Sequence, residues 1–299
     1  MSMTGRSWTI TAGEHEATVA EVAAALRGYR YRGVQVTCCY GTDTLPPKGC
    51  GITLVPWPNR IRGGRYAFDG VTQQLALTEP ALGNAIHGLG RWVRWAPVEH
   101  SADRVTLRLD VVPQNGYPHQ VRVEVCYALD AATGLTVTTT ASNTGRTRAP
   151  FGAGAHPYLA TYGHRLDEVT VRLPAETLLL TDETSIPVDR RSVDGTPHDL
   201  RGGAALGGRR FDAGFADLTR DSDGRAVAEV RTPSGGARLW LGPEYRYAQL
   251  FTVERLTASG AGIAVEPMSC PADAFNSGEA LVVLDPGDSW SGGWGITPQ

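Results

Sequence analysis

An apolar side chain at every second residue through the middle of the sequence limits the fold more than any other feature. Three runs show this alternation: Val105, Leu107, Leu109 and Val111; Val121, Val123, Val125, Tyr127 and Leu129; and Leu135, Val137 and Thr139. Successive side chains of a strand point to opposite faces, so each run predicts a strand with one buried face. Gly116 and Gly134 separate the runs, which indicates antiparallel neighbours joined by turns.

Shorter apolar runs predict strands over most of the remaining chain. Residues 7–40 read as two or three strands broken at Gly13, Gly28 and Gly33; a helix over residues 21–26 is a weaker alternative, because it has neither a cap nor sufficient length. Further strands are predicted at residues 169–173, 226–232, 237–241, 248–253, 263–265 and 280–284. Residues 186–225 are rich in Gly, Asp and Arg and are predicted to be long surface connections.

The frequency of turn residues agrees with many short strands. The 36 glycines and 19 prolines are spread along 299 residues, and no long amphipathic helical pattern is present. We therefore expect an all-β fold, a large antiparallel β-sandwich that forms a single domain over residues 1–299.

Charge and cysteine content restrict the partners and the compartment. A net charge of -3 gives no electrostatic reason to expect nucleic acid or an anionic membrane as a partner. The five cysteines are odd in number and lack a CxxC pair, so neither a disulfide framework nor a zinc site is indicated. Reduced thiols, the absence of an apolar leader in residues 1–12 and the absence of an 18-residue apolar stretch lead us to expect a cytoplasmic protein.

Glu266 is the first candidate for chemistry. It follows the apolar run at residues 263–265 and precedes Pro267 and Pro271, so we expect it at the end of a buried strand, facing a cleft. Partial burial raises the pKa of a carboxyl group toward neutrality, as a general base working near pH 7 requires. The alternative is a Glu that forms a structural ion pair with an arginine.

Two of the seven histidines lie among glycines. His87 and His156 are each flanked by glycines that allow a backbone or a ligand to approach closely, and Pro157 favours an extended conformation at His156. Each could instead be a turn histidine bonded to a backbone carbonyl. Together with Glu266 they could also bind a metal, but no HxH or HExxH spacing supports this, and an acid and base without a metal fits better.

Five short motifs are informative as a set. They occur in the order PNR (58–60), NAIHG (84–88), GAHPY (154–158), FDAGFADL (211–218) and VEPM (265–268). In sequence and in order they resemble the aldose 1-epimerase (galactose mutarotase-like) family. The resemblance implies a β-sandwich of the galactose mutarotase type that interconverts the α and β anomers of a free monosaccharide in an open cleft, with no cofactor.

The resemblance also implies roles for individual residues. Glu266 resembles the general base of the family, His156 its general acid and His87 its second histidine at the ring oxygen. Arg60 and Asp212 are similar to the contacts to sugar hydroxyls.

Three further residues accompany these. Asp217 is the alternative to Asp212 if the register of that motif differs. Asn59 and Asn84 lie within the motifs and are expected at the substrate, Asn84 as a residue that orients His87.

Several points stay open at this stage. The mechanism requires an ionised Glu266 and a protonated His156, and we therefore expect a pH optimum near neutrality.

Arg91 and Arg94 could face solvent, or could hold a sugar phosphate as in the related hexose-6-phosphate epimerases. A sugar-binding module without catalysis is the remaining alternative. The aromatic residues that could stack on the sugar are Trp57, Trp92, Trp95, Tyr117 and Phe275.

Overall fold

The computed structural model describes residues 2–257 and 260–299, and strands make up most of its regular structure. The strands are β1 (Ser7–Ala12), β2 (His15–Ala20), β3 (Leu26–Tyr31), β4 (Val34–Gln35), β5 (Thr53–Leu54), β6 (Arg60–Ile61), β7 (Arg65–Phe68), β8 (Val71–Gln74), β9 (Ala85–Ile86), β10 (Ala96–His100), β11 (Arg104–Val111), β12 (Val121–Asp130), β13 (Gly134–Asn143), β14 (Ala149–Phe151), β15 (Gly154–Ala155), β16 (Tyr158–Ala160), β17 (Thr170–Arg172), β18 (Ala175–Thr181), β19 (Pro187–Ser192), β20 (Ala204–Ala205), β21 (Asp212–Leu218), β22 (Ala226–Thr232), β23 (Gly235–Leu241), β24 (Tyr247–Thr257), β25 (Gly260–Met268), β26 (Val282–Leu284) and β27 (Ser289–Pro298).

Among the residues that the structure describes, helical structure is confined to short turns. One α-helical turn, α1, spans Ala274–Ser277, and 3₁₀ turns span Pro47–Gly49, Arg62–Gly64 and Leu166–Glu168. With helices of three or four residues, the described part of the chain contains none that could cross a membrane.

Two large antiparallel sheets form the body of the molecule. One has nine strands in the order β10-β11-β12-β13-β27-β23-β22-β17-β20. The other has eight, in the order β19-β18-β21-β24-β25-β15-β5, with β16 also paired to β25. A continuous apolar cluster includes Val125 of the first sheet and Val265 of the second, so the main core lies between the sheets, and the predicted antiparallel β-sandwich is confirmed.

The three alternating runs form β11, β12 and β13, which are neighbours as predicted. In the antiparallel register, Leu107 pairs with Val125, and Val125 pairs with Thr139. Side chains of β12 alternate strictly between buried and half-buried from Val121 to Leu129. One face of this sheet is therefore covered by the core and the other faces solvent, which is the condition under which a period of two appears in a sequence.

Two local predictions are wrong, and the weaker alternative of a helix over residues 21–26 is excluded. Gly28 lies inside β3 rather than at a strand break. Residues 21–26 form no helix, because Ala23 and Ala24 adopt positive φ angles of 63° and 44° that a right-handed helix does not allow. Residues 186–225 are not only surface connections: they contain β19, β20 and β21, and β21 lies within the eight-stranded sheet with four consecutive buried residues.

The strand that carries Glu266 also ends later than predicted. Pro267 pairs with Ala248 in the ladder between β24 and β25, and β25 continues to Met268. Ser269 donates its backbone N–H to Ala153 on the opposite side of β25, so the alternation of the backbone directs the missing N–H of Pro267 to that same side. The register of Gly154 with Met268 places Pro267 opposite Ala155 of β15, so the proline leaves one position of this ladder without a backbone donor.

Candidate active site

A pocket of about 240 Å³ has its floor on the eight-stranded sheet. The adjacent strands β21, β24 and β25 bring their polar residues together, because Asp212 pairs with Phe251, and Gln249 pairs with Glu266. Gln249 donates from Nε2 to Asp212 Oδ1 at 2.6 Å. This volume is below the range of roughly 300–1,000 Å³ that holds drug-sized ligands, so the pocket suits a compact ligand such as a single sugar ring.

His156 reaches the floor because two short strands are interrupted at this residue. Both β15 and β16 pair with β25, through Gly154 to Met268 and through Tyr158 to Ala264. His156 lies in the gap between them, opposite the stretch of β25 that carries Glu266. Its Nε2 is 3.3 Å from Glu266 Oε1, and both side chains are almost completely buried.

A second pair of short strands forms one wall of the pocket. β6 pairs with β9 so that Arg60 lies opposite Ile86, and His87 donates its backbone N–H to the Asn59 carbonyl at 2.8 Å. Asn59 and His87 have positive φ angles of 53° and 64°, a strained conformation for a histidine that is typical of functional sites. The His87 and His156 rings meet edge to face, with centroids 5.5 Å apart.

Arg60 is held between two carboxylates. Its Nε and Nη2 donate to the two oxygens of Glu79 at 2.8 and 3.0 Å, and Asp212 Oδ2 lies 3.7 Å from Nη2. Burial is the largest single influence and would lower the pKa of the guanidinium, but the hydrogen bonds to Glu79 and the nearby carboxylate charges together outweigh it and raise that pKa. The planar fork is therefore fixed in orientation at the pocket wall.

Burial drives the acid and base away from their usual protonation states. It raises the pKa of Glu266 well above its ordinary value, with a further rise from the charge of Asp212 and an opposing effect of Arg60. Burial lowers the pKa of His156 to about 4, and it lowers the pKa of His87 well below its ordinary value, helped by His156 and Arg91. Burial thus favours a protonated Glu266 and neutral imidazoles, whereas the sequence led us to expect an ionised Glu266 and a protonated His156.

Three buried polar atoms in the pocket have no hydrogen-bond partner among the described residues: Glu266 Oε2, His87 Nδ1 and His156 Nδ1. An unpaired buried polar atom typically costs about 1–3 kcal/mol, so a ligand with hydroxyl groups would be favoured here. The three residues also offer one ligand atom each within 4.8 Å of one another, which is close enough to bind a metal ion. Geometry alone thus permits both interpretations weighed from the sequence.

Most of the residues expected at the site from the sequence line this pocket, namely Glu266, His156, His87, Arg60, Asp212 and Asn59. Asn84 does not: its side-chain amide is used in the scaffold, donating to the Thr184 carbonyl at 2.8 Å and accepting from Gly63 N–H at 3.3 Å. Asp217 is exposed and lies at a different depression, so of the two aspartates only Asp212 is in the pocket.

The two arginines and the five aromatic residues that were considered as possible sugar contacts do not line the pocket. Arg91 donates to the Thr78 carbonyl at 3.2 Å, and Arg94 lies 3.4 Å from Glu21. None of the five candidate aromatic residues lines the pocket; four pack in the core, and Trp92 is exposed.

Five lining residues were missed by the sequence reasoning: Lys48, Glu79, Ile86, Gln249 and Phe251. Gln249 and Phe251 are two apart on a strand that was predicted, so they share a face. That this face lines the pocket could have been predicted only if β24 had been known to lie next to β25, the strand of Glu266. Glu79 lies in a loop without any signal of its own.

Comparison with known proteins agrees with this geometry. The family model described as aldose 1-epimerase matches residues 6–297. The uncharacterized protein YihR of Escherichia coli (strain K12) is 32% identical over 287 residues, which cover 96% of this chain and 91% of that protein. Human galactose mutarotase is 32% identical over 156 residues, covering 50% of this chain and 44% of the human protein.

Solved structures share the fold at lower identity. The aldose epimerase homologue from C. elegans superposes with a TM-score of 0.86 at 20% identity, covering 98% of each chain. The galactose 1-epimerase of Lactobacillus acidophilus superposes with a TM-score of 0.77 at 20% identity, covering 97% of this chain and 93% of that one. With the family model matching almost the entire sequence, the chain belongs to the aldose 1-epimerase family.

Proposed function

We propose that the protein is an aldose 1-epimerase that interconverts the α and β anomers of a free monosaccharide, with residues 1–299 acting as one catalytic unit. The observation that carries the proposal is the contact between a buried carboxyl group and a buried imidazole, with Glu266 Oε1 3.3 Å from His156 Nε2 in a small pocket. An acid and a base so placed can serve the two oxygens bonded to the anomeric carbon of one sugar ring.

The reaction needs one proton that can move between the two groups. Ring opening removes the proton of the O1 hydroxyl and delivers a proton to the ring oxygen, while the bond between C1 and the ring oxygen breaks. Ionised Glu266 takes the first proton and protonated His156 gives the second. Rotation about C1–C2 and the reverse transfers then close the ring on the other face. A positioned acid and a positioned base each contribute typically about 10²- to 10⁴-fold.

Sugar binding sets the protonation state that this sequence of steps needs. Burial favours the protonated form of Glu266 and the neutral form of His156, and this pair contains the same number of protons as the ionised carboxylate with the imidazolium. A hydroxyl that donates to the carboxylate favours its charged form. Binding therefore moves the shared proton toward His156, so that the acid forms where the ring oxygen lies.

The remaining pocket residues hold the ring in place. His87 stays neutral, so it offers a hydrogen bond near the ring oxygen without competing for the shared proton. Arg60 presents donors to hydroxyl groups, and Asp212 accepts from them. The hexose-6-phosphate alternative loses support because Arg91 does not line the pocket.

The test measures anomer exchange by NMR over a panel of reducing sugars, with the uncatalysed rate subtracted. Glu266→Gln should lower the enzymatic rate by at least about 10²-fold. Asp217→Asn, a carboxylate removed outside the pocket, is the matched control and should retain the rate. Full activity in Glu266→Gln would refute the base assignment. Sugar binding by calorimetry without any acceleration by the wild-type protein would identify a non-catalytic binding module instead.

A further inference from the structure

We propose that the sugar carries a singly charged acidic substituent, such as a carboxylate or a sulfonate, on the ring carbon next to the ring oxygen, and that Lys48 binds it. This inference rests on the proposed function, because it names the class of sugar. Lys48 is the only lysine among the 299 residues, all other cationic side chains being arginines, and it lines the candidate active site.

The backbone of Lys48 is fixed at the pocket by the same residues that support the acid. Lys48 lies in the 3₁₀ turn Pro47–Gly49 with a positive φ of 50°. Tyr158 donates its hydroxyl to the Lys48 carbonyl at 3.1 Å, and the Tyr158 ring stacks on His156 with centroids 5.0 Å apart. A left-handed conformation is less favourable for lysine than for glycine, so a constraint of this kind points to a use for the side chain.

The charge of Lys48 is available to a ligand, whereas that of Arg60 is not. Arg60 makes a two-point contact with Glu79 and lies 3.7 Å from Asp212. Lys48 forms no ion pair with a carboxylate within the described ranges 2–257 and 260–299, and its side chain is exposed at the pocket. A lysine ammonium is a compact charge on a flexible stem, which suits a single oxyanion at a pocket rim.

The number of cations favours one negative charge over two. Recognition of a phosphate dianion usually employs several converging donors, often a planar arginine fork. Arg91, the arginine nearest to His87 in sequence, is bonded to the Thr78 carbonyl and does not line the pocket. Glu79 and Asp212, which both lie beside Arg60, would repel an anionic group near that arginine, so the favourable place for it is near Lys48.

The position of Lys48 agrees with the geometry of the ring. His156 serves the ring oxygen in the proposed mechanism, and the carbon bonded to that oxygen carries the exocyclic substituent of an aldopyranose. The Lys48 turn packs against His156, since a Cβ on Gly49 would lie 3.4 Å from His156 Cδ2. A substituent beside the ring oxygen therefore projects toward Lys48.

The test compares kcat/KM for anomer exchange on matched sugars of one stereochemistry: the neutral hexose, its 6-carboxylate, its 6-sulfonate and its 6-phosphate. We expect the wild-type protein to favour the carboxylate or the sulfonate at least about tenfold over the neutral hexose. Lys48→Met should reduce this ratio by about tenfold or more, and Lys48→Arg should restore much of it. Arg104→Met, which removes an exposed charge on β11 in the other sheet, should leave the ratio unchanged.

The outcomes separate the two proposals. If the wild-type protein accelerates no sugar, the proposed function fails. If it accelerates neutral hexoses and the ratio is unaffected by Lys48→Met, only the present inference is overturned. A preference for the 6-phosphate over both singly charged sugars overturns the charge assignment.

A measurement independent of activity uses the single ε-amine of the chain. Reductive methylation of Lys48, read by mass spectrometry, should be slowed by the acidic sugar and not by the matched neutral sugar. Equal labelling in the presence of both sugars would count against an ion pair between Lys48 and the substrate.

Discussion

Replacing Glu266 by Gln should make the folded protein more stable, by an amount that grows with pH. Burial raises the pKa of this carboxyl group well above the ordinary value of 4.5. In the unfolded chain the group meets water and ionises near its ordinary value. Because the raised pKa belongs to the folded state, the contribution of Glu266 to stability is greatest below pH 4.5 and is lost as the pH rises through the folded pKa.

The size of the effect follows from proton linkage. Above pH 4.5 the unfolded chain releases a proton that the folded protein keeps, and each pH unit then costs the wild-type protein about 1.4 kcal/mol of folding free energy. The glutamine side chain of the variant does not titrate, and its amide can donate to His156 Nε2 in place of the protonated carboxyl. The stability difference between variant and wild type should thus rise by about 1.4 kcal/mol per pH unit, until Glu266 ionises in the folded wild-type protein.

Urea unfolding of both proteins from pH 5 to pH 9 measures this difference, and other titrating groups cancel because both proteins contain them. Glu99→Gln, on the exposed strand β10, is a control that should change stability by no more than about 0.5 kcal/mol. The pH at which the difference stops growing is the pKa of Glu266 in the folded state. A difference that is independent of pH would mean that Glu266 is ionised in the folded protein, and the protonation scheme proposed here would be wrong.

Two further predictions concern the acid and the wall of the pocket. Burial lowers the pKa of His156 to about 4, so kcat/KM should fall by half near pH 4, where the pair of Glu266 and His156 takes up a second proton, rather than near pH 6.5. A pH-jump assay of anomer exchange measures this midpoint. A midpoint near pH 6.5 would contradict the prediction. Gly88 has a φ of 72°, and a Cβ there would collide with the Val55 carbonyl, so Gly88→Ala should cost roughly 2–4 kcal/mol in urea unfolding. Gly63→Ala, also at positive φ but in open space, should cost about 1 kcal/mol, and equal costs would refute the collision argument.

The strands that were predictable from the sequence are those with one face toward solvent and one face in the core. β12 alternates between buried and half-buried residues along almost its full length, so its sequence alternates between apolar and more polar residues with a period of two. β25 differs because both its faces are covered, and eight of its nine residues are buried. Its sequence shows a continuous apolar run without a period, and this is why its end at Met268 was not predicted.

β21 was missed for a different reason. Its residues include Gly214, and a strand of small and acidic residues has low intrinsic β propensity. In the folded protein the position is tightly packed, because a Cβ at Gly214 would lie 3.2 Å from both Gln249 Oε1 and Leu179 Cδ1, and these side chains would have to shift. Tertiary contacts that the sequence does not display therefore decide that this segment is a strand and that Asp212 begins it.

The candidate site depends most on strands that are too short to predict. β15 has two residues and β16 has three, and the gap between them holds His156. If the two strands were continuous, the ladder would fix the backbone of His156 against β25, and its side chain would be confined to one face by strict alternation. The interruption frees the imidazole to meet Glu266. One break in a sheet thus explains how an acid and a base that are far apart in sequence come into contact.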